Sequence, residues 1–261
     1  MSKVIAIANQ KGGSGKTTTA VNLGAALAHD KTRNVLVIDM DPQGHTTDHL
    51  IEQDPDDLNF TLYNVLRDFD SIGKSIADLV ISTDFNVDLW PANIELSGLE
   101  AAIANEAGRE AHLKAAISRV RSKYDYIIID VPPQLGLLSL NALMAADKVI
   151  VPIQTEYYAY KALKQLFEII RKIRNKGLND NLDIMGILLT MYDARLTICK
   201  QVVDMARKNF DKKVFKTTIR TSSKLKEAAG SKRPIIYYDS GSKGSEDYIA
   251  LAKEILQRSN A

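Results

Sequence analysis

The sequence predicts an α/β fold, a mostly parallel twisted sheet with helices on both faces, and three features point to it. Short runs rich in valine and isoleucine recur along the 261 residues without polar alternation, as expected of strands buried on both faces. Amphipathic helical stretches separate them, and that alternation calls for right-handed crossovers. A glycine-rich loop follows the first strand directly, and sheets of this kind bind ligands at the carboxyl ends of their strands.

In chain order the expected strands are residues 3–9, 34–40, 124–130, 148–154, 184–191 and 213–219, with helices at 16–29, 110–122, 160–175 and 196–209. No Pro/Ser-rich connector, low-complexity tract or solenoid repeat divides them, so residues 1–261 read as a single domain. The one cysteine, Cys199, excludes an internal disulfide framework and an iron–sulfur cage, and points to a reducing, cytoplasmic setting. Residues 1–9 run with one lysine straight into the glycine loop, which reads as a buried strand rather than a signal peptide. No run approaches the ~18 apolar residues of a membrane span.

The net charge of +2 conceals an asymmetry: residues 1–160 hold 13 Lys/Arg against 21 Asp/Glu, whereas 161–233 hold 18 against 7. A local cationic excess of that size attracts polyanions, nucleic acid above all, although solvated helix faces give the same composition.

The loop reads Gln10-Lys11-Gly12-Gly13-Ser14-Gly15-Lys16-Thr17-Thr18 and opens an amphipathic helix. Its glycines let successive backbone N–H groups face one concavity, and the helix N-terminus adds partial positive charge, so a triphosphate is held mostly by main chain. Lys16 is expected on the β and γ phosphates, the Thr17 hydroxyl on magnesium, and Thr18 near the α phosphate. The usual phosphate loop has glycine at the position of Gln10, and Lys11 adds a second cation at its mouth. Residues 35–44, Val-Leu-Val-Ile-Asp-Met-Asp-Pro-Gln-Gly, place Asp39 and Asp41 two apart at the end of an apolar strand, so both are expected on the same face, toward its carboxyl end. Burying like charges needs a compensating cation, for which magnesium–nucleotide is the natural source, while capping of a turn or helix is the plainer explanation. Asp130 ends the hydrophobic run Tyr126-Ile127-Ile128-Ile129, where a carboxylate typically holds magnesium through water; Pro132, Pro133 and Gly136 then suit a loop that answers to the γ phosphate.

Lys11-Gly12-Gly13 with Lys16-Thr17, the stretch Asp39 to Gly44, and the segments 151–159 and 186–195 together resemble the ParA/Soj partition ATPases of the deviant Walker A type, over residues 3–229. His45 stands where that family usually has asparagine, and Val131 where it has alanine. The resemblance implies a slow, partner-stimulated ATPase that uses ATP and Mg2+. It makes Lys11 a residue that crosses an ATP-bound homodimer to the partner's phosphates, Asp41 the orienter of the attacking water, and Asp39 an outer support of magnesium. It also implies nonspecific binding of double-stranded DNA through Arg195 and Lys224, extended by Lys200, Arg220, Lys226 and Lys232, a ParB-like centromere-binding partner, and a nucleoid-associated location in the cytoplasm. Phosphate contacts of that kind give salt-sensitive, sequence-independent binding. Adenine contacts are expected near residues 190–193 and 219–222.

The first strand starts at Lys3, which argues against an N-terminal helix-turn-helix. A MinD-like membrane-cycling ATPase is the main rival. It needs a basic amphipathic C-terminal helix, whereas residues 246–261 mix both charges and read as a helix packed on the core. A nitrogenase-reductase-like carrier lacks its cluster cysteines and a GTPase its Asn-Lys-x-Asp motif; against a non-enzymatic scaffold in which nucleotide only locks a dimer, Lys11, Lys16, Thr17, Asp41 and Asp130 together favour a working, slow ATPase.

Overall fold

The computed structural model of the protein describes residues 2–68, 79–156 and 159–260. In chain order the elements are β1 (Lys3–Ile7), α1 (Lys16–Ala28), β2 (Val35–Asp39), α2 (His45–Leu50), α3 (Leu62–Asp68), β3 (Ile81–Ser82), β4 (Asp88–Trp90), α4 (Leu99–Ala102), α5 (His112–Val120), β5 (Tyr126–Asp130), α6 (Leu137–Ala145), β6 (Lys148–Gln154), α7 (Ala159–Asn175), β7 (Asp183–Tyr192), α8 (Thr197–Phe210), β8 (Val214–Arg220), α9 (Ser223–Gly230), α10 (Ile235–Tyr238) and α11 (Lys243–Asn260). The eight strands form one sheet in the order β3-β4-β2-β5-β1-β6-β7-β8. Every neighbouring pair is parallel except β3 with β4.

All six expected strands are present, and the buried runs explain why: β2 and β5 are buried at every residue. Successive side chains of a strand face opposite sides of the sheet, so Val4 and Ala6 pack into one core with α5, α6 and α7, while Ile5 and Ile7 pack into the other with α1 and α11. The C-terminal α11 is tied down by Tyr248, Leu251, Ala252 and Ile255, all buried against α1 and β8. Each large aliphatic side chain so buried stabilises the fold by roughly 1.5–3 kcal/mol.

Sequence reasoning left out the edge pair β3 and β4, whose three or fewer residues are too short to show a period. It also left out α6, because Leu137-Leu138-Ser139-Leu140-Asn141-Ala142-Leu143-Met144-Ala145 is apolar almost all round and buried on most sides. The second strand stops at Asp39, not at Met40, so Asp41 lies in the turn beyond it. The expectation that Asp39 and Asp41 share one face of a strand is therefore corrected: Asp39 is fully buried and Asp41 half-buried, with different partners.

Because the strands run parallel, their carboxyl ends gather at one edge. Register places Asp39 opposite Asp130 and Ile7 opposite Asp130, so the loop after β1 opens directly beside both carboxyl groups. On β7, after a register shift between Val149 and Ile150 of the neighbouring strand, Gly186 faces Phe215, and a Cβ there would lie 2.5 Å from the ring. Gly186→Ala is expected to lower the unfolding free energy by about 1–3 kcal/mol through overpacking, read as a shift of the urea midpoint with an unchanged m-value.

Candidate functional site

The loop between β1 and α1 is shaped by Gly13 (φ +72°) and Gly15 (φ +88°), both in the left-handed region that other residues avoid. Gly15 is the N-cap of α1 and no side chain caps that helix, so its first N–H groups are left for a ligand. Two side chains hold the loop from β6 and β7. Gln154 Nε2 donates to the Gly13 carbonyl at 2.6 Å, and Thr190 Oγ1 donates to the Ser14 carbonyl at 2.9 Å.

Lys16 is 7 % exposed and, among the described residues, makes one hydrogen bond, a long one of 3.4 Å to the Lys11 carbonyl. Burial pushes its pKa down, while the charges of Asp130 and Asp41 pull it back up. A buried ammonium with no ion pair is costly unless an anion arrives. Ser14 Oγ and Gln10 Nε2 are also buried without partners among the described residues.

Across from Lys16, Asp130 Oδ2 accepts from Thr17 Oγ1 and from Thr46 Oγ1, each at 2.8 Å, whereas Asp130 Oδ1 is buried with no partner. Asp39 is satisfied by protein alone. Its Oδ2 accepts from the N–H of Thr47 (2.9 Å) and from Thr47 Oγ1 (2.8 Å), and its Oδ1 from the N–H of Asp41 (3.1 Å). Burial raises both carboxyl pKa values, with the neighbouring Asp130 adding to the effect at Asp39. Magnesium fits this donor set: Asp130 Oδ1 is the unsatisfied oxygen and Thr17 stands beside it, whereas both oxygens of Asp39 already accept hydrogen bonds, two of them from Thr47 in α2. Among the described residues no cluster of three His, Cys, Asp or Glu could cage a metal, so such an ion would take its remaining ligands from phosphate and water.

Asp41 accepts from the Gln43 N–H at 3.0 Å, a turn-capping bond. Gly44 (φ +62°) closes that turn, and a Cβ there would lie 2.9 Å from the Ala92 carbonyl. Between the turn and the Pro132–Leu138 loop lies a cleft of about 450 Å³ lined by Asp41, Gln43, Pro132 and Gln134, with exposed Ile94 at its rim. Lys11, at the mouth, is held within its own chain: its ammonium lies 2.8 Å from Gln154 Oε1 and 2.6 Å from Glu156 Oε2.

A family model described as an AAA domain matches residues 2–184. The chain is 47 % identical over 98 % of its length to the sporulation initiation inhibitor protein Soj of Bacillus subtilis, covering 98 % of that protein. It is 45 % identical over 98 % of its length to the chromosome partitioning protein ParA of Myxococcus xanthus, covering 88 % of that protein. The chain belongs to the Soj/ParA family. Its fold also matches the ADP- and magnesium-bound structure of cobyrinic acid a,c-diamide synthase from Mycobacterium smegmatis, with a TM-score of 0.85, 35 % identity, and coverage of 100 % of this chain and 96 % of that one.

Lys11 to Thr18, Asp39, Asp41 and Asp130 all gather at the carboxyl edge of the sheet. Arg195 and Lys224 follow the carboxyl ends of β7 and β8 and so share it, but neither is an unpaired cation. Arg195 is 89 % exposed and forks onto Asp193, through Nε at 3.0 Å and a terminal nitrogen at 2.7 Å, and these bonds hold the Asp193 carboxyl down to about 2. Lys224 pairs with Glu227 at 2.6 Å. Arg220 is a structural tie to Asp247, Glu246 and the Lys243 carbonyl, and Lys232 pairs with Asp48. Cys199 is a buried free thiol that accepts from Thr155 Oγ1.

Sequence reasoning passed over Thr46 and Thr47, which bond the two carboxylates from α2, and Gln154, which braces the loop. Their signal was weak, since threonine and glutamine are ordinary surface residues and only the packing brings them here. Thr47→Val removes one bond to buried Asp39 and the acceptor of the Ala92 N–H (2.9 Å). It is expected to cost about 1–3 kcal/mol, measured by chemical denaturation of the nucleotide-free chain.

Proposed function

We propose that this protein is an ATP-dependent dimerising switch that binds nonspecific double-stranded DNA and hydrolyses ATP to segregate or position chromosome or plasmid DNA. One observation carries the nucleotide part of the reading: the buried Lys16 ammonium has no ion pair, and it sits in a loop of left-handed glycines opposite the unpartnered Asp130 Oδ1. That arrangement is incomplete without a phosphate and a divalent cation.

In this reading the N–H groups of Gly13 to Thr17 and the Lys16 ammonium bind the phosphates, and Thr18 sits near the α phosphate. Thr17 and Asp130 hold magnesium, which when bound offsets charge on the phosphate oxygens. Asp39 orients α2 through Thr47. Asp41, half-exposed in its turn, orients the attacking water. Lys11 leaves Gln154 and Glu156 to reach the phosphates of a second copy, so closure of the homodimer competes with an ion pair in the free chain. Exposed ion pairs are worth roughly 0–1 kcal/mol, small enough for a triphosphate to displace.

The DNA part is supported by the names of the relatives, by the cationic excess of residues 161–233, and by the position of Arg195 and Lys224 at the same edge as the nucleotide loop. Binding there exchanges Asp193 and Glu227 for DNA phosphates, and it should be salt-sensitive. A ParB-like partner that stimulates hydrolysis belongs to the same proposal, as does a nucleoid-associated, cytoplasmic setting. Membrane cycling draws no support from α11, whose apolar face is buried on the core, and no described helix is long and apolar enough to cross a membrane.

Lys16→Ala is expected to weaken ATP binding about a hundredfold, the loss of a charge-assisted contact of ~2.7 kcal/mol, in a titration with a fluorescent ATP analogue. Asp41→Ala should bind ATP within about threefold of wild type yet lose roughly a hundredfold or more in phosphate release; full turnover in that variant would remove Asp41 from its assigned role. Binding of an arbitrary duplex should require ATP, fall steeply with salt, and disappear in Arg195→Glu. A duplex bound equally with ATP, with ADP and by Arg195→Glu would refute the DNA reading.

A further inference from the structure

Four consecutive residues of α2 reach in two directions. Thr46 and Thr47 bond Asp130 and Asp39, the carboxyl groups of the nucleotide site. Asp48 Oδ1 lies 2.9 Å from the Lys232 ammonium, which also donates to the Glu52 carbonyl at 3.2 Å, and His49 Nε2 is 3.0 Å from the Arg233 carbonyl oxygen. A single six-residue helix thus bonds the buried carboxylates at one side and residues 232–233 at the other.

Residues 231–233 form the end of α9. The Arg233 N–H bonds the Ala228 carbonyl at 3.1 Å and the Lys232 N–H bonds the Ala229 carbonyl at 3.0 Å, the pair of reversed bonds of a Schellman cap. Such a cap puts its middle residue in the left-handed region and normally uses glycine, yet Lys232 occupies it at φ +52°. A lysine there carries backbone strain that a glycine would not, and what it gains is its grip on Asp48 and Glu52. Two residues on, at the start of α10, the Ile235 N–H donates to Asn22 Oδ1 at 2.6 Å, and Asn22 Nδ2 donates to the Thr18 carbonyl one turn back in α1 at 2.8 Å. Two hydrogen-bonded routes therefore lead from the nucleotide site toward residues 231–235, one from Asp39 and Asp130 through α2 and one from the first turn of α1 through Asn22, and these residues follow α9, the helix that carries Lys224 and Lys226.

We infer that the 231–235 cap reports the state of the nucleotide site. Asp48 and Lys232 act as positioning residues that carry movement of α2 to α9, and Asn22 carries movement of Thr18 to Ile235. A change at the phosphates that shifts Thr46 and Thr47 must either drag residues 232–233 with α2 or break two bonds. The basic face of α9 is thereby set by nucleotide rather than fixed. The inference rests on the nucleotide reading of the site and is independent of the DNA reading.

Hydrogen exchange at the amides of residues 231–235 tests it on the full chain, with magnesium and no nucleotide, ADP, or a nonhydrolysable ATP analogue. In the wild type the analogue should change exchange there by about threefold or more relative to ADP, the scale of one exposed ion pair and its coupling. Lys232→Gly keeps the left-handed cap and should melt no lower than wild type, but it should lose that difference while binding the analogue within about twofold of wild type. Asp48→Lys should lose it too, and Asp48→Lys combined with Lys232→Asp should regain it, which a merely structural role would not produce. An unchanged cap in analogue-bound wild type, or an undiminished response in Lys232→Gly, overturns the inference. Failure of the analogue to bind at all overturns the site reading along with it, whereas an intact response without DNA binding sinks only the DNA proposal.

Discussion

Asp39 and Asp130 stand in register on adjacent parallel strands, both buried, with the Lys16 ammonium buried above them and no closed ion pair among the three. Removing such charges from water costs several kcal/mol each even after relaxation, so the surrounding structure is organised around sharing that cost. Thr17, Thr46 and Thr47 donate to the carboxylates, and burial holds the carboxyl pKa values high. What the protein does not supply is an anion for Lys16 or a cation for Asp130 Oδ1. The rest of the carboxyl edge is built around the same charges: left-handed glycines, an uncapped helix start, and braces from β6 and β7 bonded to the loop's carbonyls.

The same constraint explains why α2 matters more than its length suggests. A short helix contributes little stability of its own, and this one is held in place by the carboxylates it satisfies. Its N-terminal residues answer to the nucleotide site while the next two answer to the cap of α9. Binding energy gained at the phosphates can then be spent at a surface some distance along the chain, provided the intervening contacts are packed and polar groups are left without alternatives.

Charge on the outer surface behaves differently. The cations of residues 161–233 looked in composition like one patch, but the structure commits several of them internally. Arg220 ties β8 to α11, Lys232 ties α9 to α2, and Arg195 and Lys224 sit in local pairs that a polyanion must displace. Net charge is a property of composition, whereas availability depends on which carboxylates the fold brings within reach. The shared fold with a diamide synthase at a TM-score of 0.85 makes a related point: the sheet edge and loop are a general platform, and the activity resides in residues placed on it.

The strand order could not be read from one sequence, yet the alternation of buried runs and helices sufficed for the fold class, because full burial on both faces demands uniform apolar strands. That Lys16, Thr17 and Asp130 would meet at one edge was legible for a local reason: phosphate chemistry needs glycines, a lysine and a carboxylate at fixed offsets from strand ends, and those offsets survive in the linear chain, whereas the roles of Lys11, Asp39 and Asp41 were assigned by the family resemblance. Only the tertiary structure decided the remainder. It separated buried Asp39, bonded twice by Thr47, from half-exposed Asp41; it closed Lys11 onto Glu156; and it brought Asp48 and His49 against residues 232–233. The last two sets of contacts join segments more than a hundred residues apart, in most cases through side chains whose types carry no signature. Their pairing depends on how α2, α9 and the sheet pack, which no local spacing encodes.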